Sequence, residues 1–220
     1  MTAAAIRRTA TVLGLVAGLL AAGVGGDRLA AGLRFVAASA GTRVVLAELE
    51  EATTRIASLV GAVRSYSYLD QAPRQTVDIH EGLESTLSLL GHKLRAKQVE
   101  IVRDLDPGLP GVEASGSELN QVWTNLIDNA ADAVGADGRI TLRTRRQGER
   151  VCVEIADNGP GIPADLQPRV FDAFFTTKAV GQGTGLGLDI AQRIVVRHHG
   201  ELRLQSQPGD TRFQVLLPIR

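Results

Sequence analysis

One acid, a pair of carboxamides and a run of alternating glycines carry the chemistry of this sequence. Asp157 ends an alternating stretch, Val151-Cys152-Val153-Glu154-Ile155-Ala156, that reads as a half-buried strand, and Asn158-Gly159-Pro160-Gly161-Ile162-Pro163 follows at once. Glycines supply backbone torsions that other residues resist and prolines fix φ, so this loop holds one shape with a carboxylate at its mouth. A tight turn that merely begins with Asp has the same composition. Further on, Gly181, Gly183, Gly185 and Gly187 alternate and run straight into a helix. Backbone N–H groups in such a segment can converge on an anion, and the helix dipole adds to the attraction, so the chemistry is that of a phosphate site. The spacing fits neither the dinucleotide-binding G-x-G-x-x-G nor the P-loop G-x-x-x-x-G-K-[ST], and landmarks of the V-A-I-K, H-R-D and D-F-G type are absent.

The elements that must position these groups follow from periodicity. Ser115 and Glu118 form a capping box that opens a helix over 118–134. Leu119, Val122, Trp123, Leu126, Ile127 and Ala130 make its apolar side, while Gln121, Asn125, Asn129 and Asp132 recur on the other at steps of four, four and three. A solvated face would look similar, but two Asn four apart in mid-helix are poor helix formers, so another demand selects them. Ahead of it, Asp78 and Glu81 make a second capping box, starting a helix with Leu83, Leu87, Leu90 and Leu94 on one face, and Val99 to Arg103 alternates as a strand. Strands are expected over 139–144 and 151–156, and a hairpin over 201–217 turning at Pro208-Gly209-Asp210. Phe171 to Lys178 holds three of the five phenylalanines, which would anchor a movable segment to the core.

Composition narrows the rest. The 24 basic and 24 acidic side chains cancel, against a nucleic-acid binder held by phosphate electrostatics. Cys152, the one cysteine, excludes a disulfide framework and a cysteine-based metal site. Thr9 to Gly26 carries no charge over 18 residues and follows Arg7-Arg8. A buried bundle helix, a membrane span and a cleaved signal all fit it. Residues 28–69 read as helix, with a close-to-heptad seam from Leu46 (Leu49, Ile56, Val63; Ala52, Leu59, Tyr66) that wants a partner helix in this chain or across a homodimer. Gln71-Ala72-Pro73-Arg74 breaks the helix, so the expected division is a helical region over 1–72 and a second domain over 73–220.

Four blocks of this second domain, in this order, resemble the catalytic ATP-binding domain of bacterial sensor histidine kinases, part of the superfamily shared with gyrase and the mismatch-repair ATPases. Asn125-Leu126-Ile127-Asp128-Asn129-Ala130 is similar to the asparagine box, Asp157-Asn158-Gly159-Pro160-Gly161 to the first glycine box, Phe171 to Phe175 to the phenylalanine box, and Gly183-Thr184-Gly185-Leu186-Gly187-Leu188 to the second glycine box. Asp210-Thr211-Arg212-Phe213 stands where a weaker last motif lies. The resemblance implies an α+β fold, a two-layer α/β sandwich with a mixed sheet backed by helices, preceded by a helical hairpin or coiled-coil-like region. It implies Mg²⁺ and ATP as cofactors. Asn129 would ligate the metal, with Asn125 beside it as the other catalytic residue. Asp157 would take a hydrogen bond from the adenine amino group, and Gly159 and Gly161 would let the backbone approach the base, with Ile162 and Phe171 also in the nucleotide site. Gly183, Thr184, Gly185, Leu186 and Gly187 would cradle the phosphates, with Asp132 and Lys178 in reach. The segment from Ile162 to Gln182 would order over bound nucleotide. The gyrase-type hydrolases carry a general-base Glu four residues before the metal-binding Asn; here that position is Asn125, which favours transfer to a protein over hydrolysis.

The resemblance also implies an acceptor histidine on a dimerisation hairpin, yet the chain holds only His80, His92, His198 and His199. His80-Glu81 has the right pair but lies at the start of the ATP-binding domain's own first helix, where an ordinary helix-start His also fits. Ala3 to Arg8 resembles the continuation just past an acceptor box, and Leu46 to Tyr68 the second dimerisation helix, so the acceptor is expected upstream of Met1 in the gene, unless it has been lost. The expected partners are a response regulator and a second copy of the chain, with no nucleic acid and with membrane contact only through 9–26; the catalytic part would be cytoplasmic, where ATP is. Two further readings share the fold: a nucleotide-binding regulatory module without kinase activity, and a serine protein kinase of the anti-sigma type.

Overall fold

A computed structural model describes residues 74–135, 137–178 and 183–219. The helical region over 1–72, the uncharged run 9–26, the heptad seam, and Gly181 with Gln182 lie outside the described residues. The elements are β1 (Gln75–Val77), α1 (Ile79–Ala96), β2 (Glu100–Asp104), β3 (Val112–Ala114), α2 (Gly116–Ala133), β4 (Arg139–Gln147), β5 (Arg150–Asp157), a 3-10 turn (Gln167–Arg169), α3 (Gly187–Arg197), β6 (Glu201–Gln207) and β7 (Asp210–Pro218).

Five strands make one mixed sheet in the order β2-β4-β5-β7-β6, with β2 parallel to β4 and the other neighbours antiparallel. Gly148, at φ +62, turns β4 into β5, and Pro208-Gly209, with Gly209 at φ +83, turns β6 into β7. β1 and β3 form a separate antiparallel pair that the sequence reading did not foresee. Three residues each leave no room for an alternation to show.

The helices take one face of the sheet. Leu83, Leu87 and Leu94 of α1, Leu119, Val122, Trp123, Leu126 and Ile127 of α2, and Ala191, Ile194 and Val195 of α3 share one buried core with Ile140, Leu142, Val151, Val153, Ile155, Phe213, Val215 and Leu217 of the strands. Each fully buried aliphatic side chain here contributes about 1.5–3 kcal/mol. Both expected N-caps form: Asp78 Oδ1 accepts from the His80 and Glu81 amides, and Ser115 Oγ from the Glu118 amide. The Glu118 carboxylate leaves its capping box to meet Arg197 at 3.0 Å, and the buried His198 takes the Ser115 amide on Nε2 and lies 2.9 Å from the Ile194 carbonyl through Nδ1. Together these contacts pin the start of α2 to the end of α3.

The opposite face of the sheet is polar and self-satisfied. Register sets Asp104, Arg143, Glu154, Gln214 and Arg203 in one row across five strands. Arg143 reaches Glu154 at 2.5 Å, and Gln214 reaches the other Glu154 oxygen at 2.8 Å. Beneath these long side chains Cys152, Ala156 and Leu216 are buried.

Candidate nucleotide site

Helix α2 is the spine of the site. Asn125 and Asn129 lie one turn apart on it, Asp132 near its end, and Ala133 at its last residue. Asn125 is matched to the start of α3: a Cβ added at Gly187 would stand 3.5 Å from Asn125 Oδ1, ordinary contact. Ala133 is matched to the Asp157 loop, where a Cβ at Gly159 would come 3.2 Å from Ala133 Cβ and 2.7 Å from Asp157 Oδ1. At 1.5 Å per residue these contacts are about 12 Å apart along the helix, the scale that separates the base of a nucleotide from its phosphate tail.

At the Ala133 end, Asp157 is the last residue of β5 and is 6 % exposed. Its Oδ1 accepts the Gly159 amide at 2.9 Å. Burial pushes its carboxyl up, the Gly159 bond offsets part of this, and the Asp210 charge adds to the rise. The loop beyond it is fixed on three sides. Asn158 exchanges hydrogen bonds with the Arg139 backbone, Gly159 O accepts the Gly209 amide at 2.8 Å, and the Ile162 amide donates to Ser206 Oγ at 2.8 Å. Gly161 sits at φ +81, where a Cβ would lie 2.6 Å from the Gln207 backbone, so no larger residue fits. Ser206 Oγ in turn bonds Thr211 Oγ1 at 2.8 Å, and Thr211 is the register partner of Asp157, buried on the same side of the sheet. Ser206 was not foreseen; only the register, invisible in sequence, brings it here.

The phenylalanine segment behaves unequally. Phe171 packs edge-on against Phe213 with ring centroids 6.4 Å apart, and Phe175 lies under the Arg169 guanidinium at 4.6 Å. Phe174 is 68 % exposed, so the three rings are not a common anchor. Phe174 instead holds φ +67 and donates its amide to Gly185 O at 2.9 Å, and Gly185, also at φ +67, lies so close to the Phe174 backbone that a Cβ would overlap it. The segment is thereby latched to the second glycine run through the backbone.

At the Asn125 end, α3 begins at Gly187 with Leu186 as its cap residue and no side-chain capping bond. Thr184 Oγ1 receives the Leu186 amide at 3.4 Å, and Gly183 packs against Lys178 and Thr176. An amide-rich helix start without a side-chain cap suits an anion. Asn125 Nδ2 is a buried donor without an acceptor among the described residues, and a phosphate oxygen would supply one.

Between the two ends lies a charged knot. Lys178 Nζ donates to Asp132 Oδ2 at 2.8 Å and to Asn129 Oδ1 at 3.3 Å. Lys93 of α1 and Lys97, the residue that caps its C-terminus, reach Asp132 Oδ1 at 2.8 and 3.3 Å, and Lys93 also meets Asp128 at 2.6 Å. Burial alone would raise the Asp132 carboxyl, but bonds to Lys178 and Lys93 outweigh it and hold it at about 2. Lys93 and Lys97 escaped the sequence reading, although their spacing of four at the end of α1 was a signal. Asn129 Oδ1 thus already accepts from a cation, and among the described residues no cluster of three or more His, Cys, Asp or Glu could hold a metal by itself. That donor set fits Mg²⁺, which takes few protein oxygens and fills its shell with phosphates and water.

Of the histidines, His80 Nε2 bonds Thr144 Oγ1 at 2.9 Å and His198 is buried between Ser115 and Ile194, while His92 and His199 are exposed. Among the described residues no helix is long and apolar enough to cross a membrane.

Comparison with known proteins gives the same picture. Residues 114–220 match the family described as histidine kinase-, DNA gyrase B-, and HSP90-like ATPase. The sensory histidine kinase/phosphatase NtrB of Rhizobium leguminosarum bv. phaseoli is 40 % identical over 182 residues, covering 76 % of this chain and 47 % of that protein. The chain therefore spans about half the length of the curated relatives it matches. Among solved structures, the nucleotide-free catalytic domain of histidine kinase ThkA aligns with TM-score 0.61 and 30 % identity over 66 % of this chain and 95 % of that one. ThkA in complex with response regulator protein TrrA aligns with TM-score 0.65 over 97 % of this chain and 64 % of that one, at 21 % identity, a likeness of fold alone.

Proposed function

This chain belongs to the histidine kinase-, DNA gyrase B- and HSP90-like ATPases, with the ATP-binding catalytic domain of a histidine kinase, and from that premise we propose that it uses Mg²⁺-ATP to phosphorylate a histidine lying outside this domain, as the kinase of a two-component system. The observation that carries the reading is the state of Asn125. Its position, four residues before Asn129, holds a carboxamide with an unanswered buried donor and no carboxylate to activate water. A donor there orients a phosphate oxygen and leaves the γ-phosphate for a protein nucleophile.

Each group has a role in this proposal. Asp157 accepts from the adenine amino group, and Gly159 and Gly161 bring the loop backbone beside the base, with Ile162 and Phe171 as apolar neighbours. Asn129 Oδ1 holds the metal. Gly183, Thr184, Gly185, Leu186 and Gly187 line the phosphates, and Lys178 moves from Asp132 to meet them. Bound Mg²⁺ would neutralise phosphate charge during transfer. The domain boundary falls near residue 73, the region before it dimerises but holds no histidine of its own to act as acceptor, a response regulator takes the phosphoryl group onward, and the catalytic domain works in the cytoplasm. His80 and His198 are both tied into the fold, which also favours a second reading, a nucleotide-binding regulatory module without kinase activity.

The test is incubation of the full chain with γ-labelled Mg²⁺-ATP, alone and with a dimerisation hairpin that carries an acceptor histidine. Acid-labile, base-stable label on the hairpin that disappears in Asn129→Ala is the expected result. Acid-labile label on the chain alone would place the acceptor among its own four histidines, ATP binding without label on either supports the second reading, and acid-stable label would mean a serine or threonine acceptor.

A further inference from the structure

The lysines around Asp132 have an arrangement that nucleotide binding alone does not require. Lys178 comes from the segment that follows the phenylalanines, Lys93 and Lys97 from α1 and its C-cap, and all three ammonium groups meet one carboxylate on α2. Two are secured independently: Lys93 has Asp128 at 2.6 Å and Lys97 has the Ala131 carbonyl at 2.7 Å. Lys178 has Asp132, and through it Asn129 Oδ1. A divalent cation on that oxygen would sit about 2.0–2.1 Å away, inside the space the ammonium faces, and two like charges so close repel strongly.

Accepting the ATP reading above, we infer that Asp132 is a positioning residue that parks the Lys178 ammonium on the Asn129 oxygen in the nucleotide-free chain, so that Lys178 and the nucleotide-bound metal compete for one oxygen. When metal arrives, Lys178 leaves, and Asp132 is not stranded because Lys93 and Lys97 remain on its other oxygen. The departing ammonium is freed beside Gly183, against which its side chain already packs, at the edge of the phosphate run. The ion pair is partly exposed, with Lys178 and Asp132 side chains at 32 % and 26 %, so the restraint is weak enough for a ligand to overcome.

Calorimetric titration of the full chain with a non-hydrolysable ATP analogue, over a series of Mg²⁺ concentrations, tests this. Asp132→Asn, which keeps the side-chain shape, lowers the Mg²⁺ needed for half-maximal binding about two- to fivefold, the size expected of a partly exposed ion pair. Lys178→Met, which removes the competitor without touching helix packing, lowers it too, while the nucleotide itself binds less tightly. In the Lys178→Met background Asp132→Asn then changes nothing. An equal gain from Asp132→Asn with or without Lys178 would overturn the inference in favour of bare charge repulsion, and no gain, or a loss, would overturn it outright. A tightening cannot come from misfolding. If the unaltered chain binds no nucleotide at any Mg²⁺ concentration, the ATP reading falls and takes this inference with it; if it binds and the variants behave alike, only the inference falls.

Discussion

Asp157 and Asp132 are two carboxylates within one site that respond to pH in opposite directions. Burial and the Asp210 charge raise Asp157 beyond what the Gly159 amide can offset. A folded-state pKa above the unfolded one means the folded chain holds that proton more tightly, so stability falls as pH rises through the folded value. Asp157→Asn should therefore raise the melting temperature at pH 7, with the gain shrinking as pH drops through the carboxylate range, and should weaken adenine nucleotides about 10- to 100-fold through loss of a charged acceptor. Melting curves and titration calorimetry on the same sample check both arms. Asp132 has the reverse sign: its carboxyl is lowered from 3.8 to about 2, so its contribution is complete above the ordinary value and lost as pH falls through about 2. The acid limb of the melting profile should flatten between those values in Asp132→Asn. The acids, carboxamides and glycines of the site were legible one by one, because each type has a local reason to be where it is. Lys93, Lys97 and Ser206 were not, because only the packing of α1 on α2 and the β6–β7 register bring them in.

At the level of elements, the sequence showed the helices well and the short strands poorly. The stripes on α1 and α2 fall on buried residues, Leu90 alone being half-buried, since a 3.6-residue repeat over 18 residues leaves little ambiguity. β1 and β3 have three residues each and exist because they pair with one another. The phenylalanine segment shows the other limit: composition announces apolar rings, but backbone torsion decides where they point. Phe174 is held at φ +67, a conformation that costs a non-glycine residue roughly 1–2 kcal/mol. Phe174→Gly should recover about 1 kcal/mol of stability in urea melts, whereas Gly185→Ala, whose Cβ would overlap the Phe174 backbone, should detach the latch and cost nucleotide affinity more than global stability.

Over the whole molecule, the ends of α2 and α3 divide labour. The Ser115–His198–Glu118–Arg197 cluster fixes one junction, while Asn125 and Gly187 meet nearer the other. His198→Ala leaves the buried Ser115 amide without its partner and should cost about 1–3 kcal/mol in chemical denaturation, with nucleotide affinity of the folded fraction little changed. The family match over residues 114–220 covers both helices and all four blocks, one of asparagine, two of glycine and one of phenylalanine. The N-terminus of α3 has a consequence that reaches past catalysis. A helix that begins without a side-chain cap is completed by whatever anion settles there, so the ligand acts as an interchangeable part of the fold. At a hundredfold excess over its dissociation constant a nucleotide adds about 2.7 kcal/mol to the folded state. Amide exchange over 187–191 should slow on its addition. In a starving cell the same arithmetic should run backwards: as ATP falls, the unliganded chain should open more often and meet proteases sooner, so that the amount of this protein follows the energy charge of its host, which limited proteolysis over a series of ATP concentrations checks.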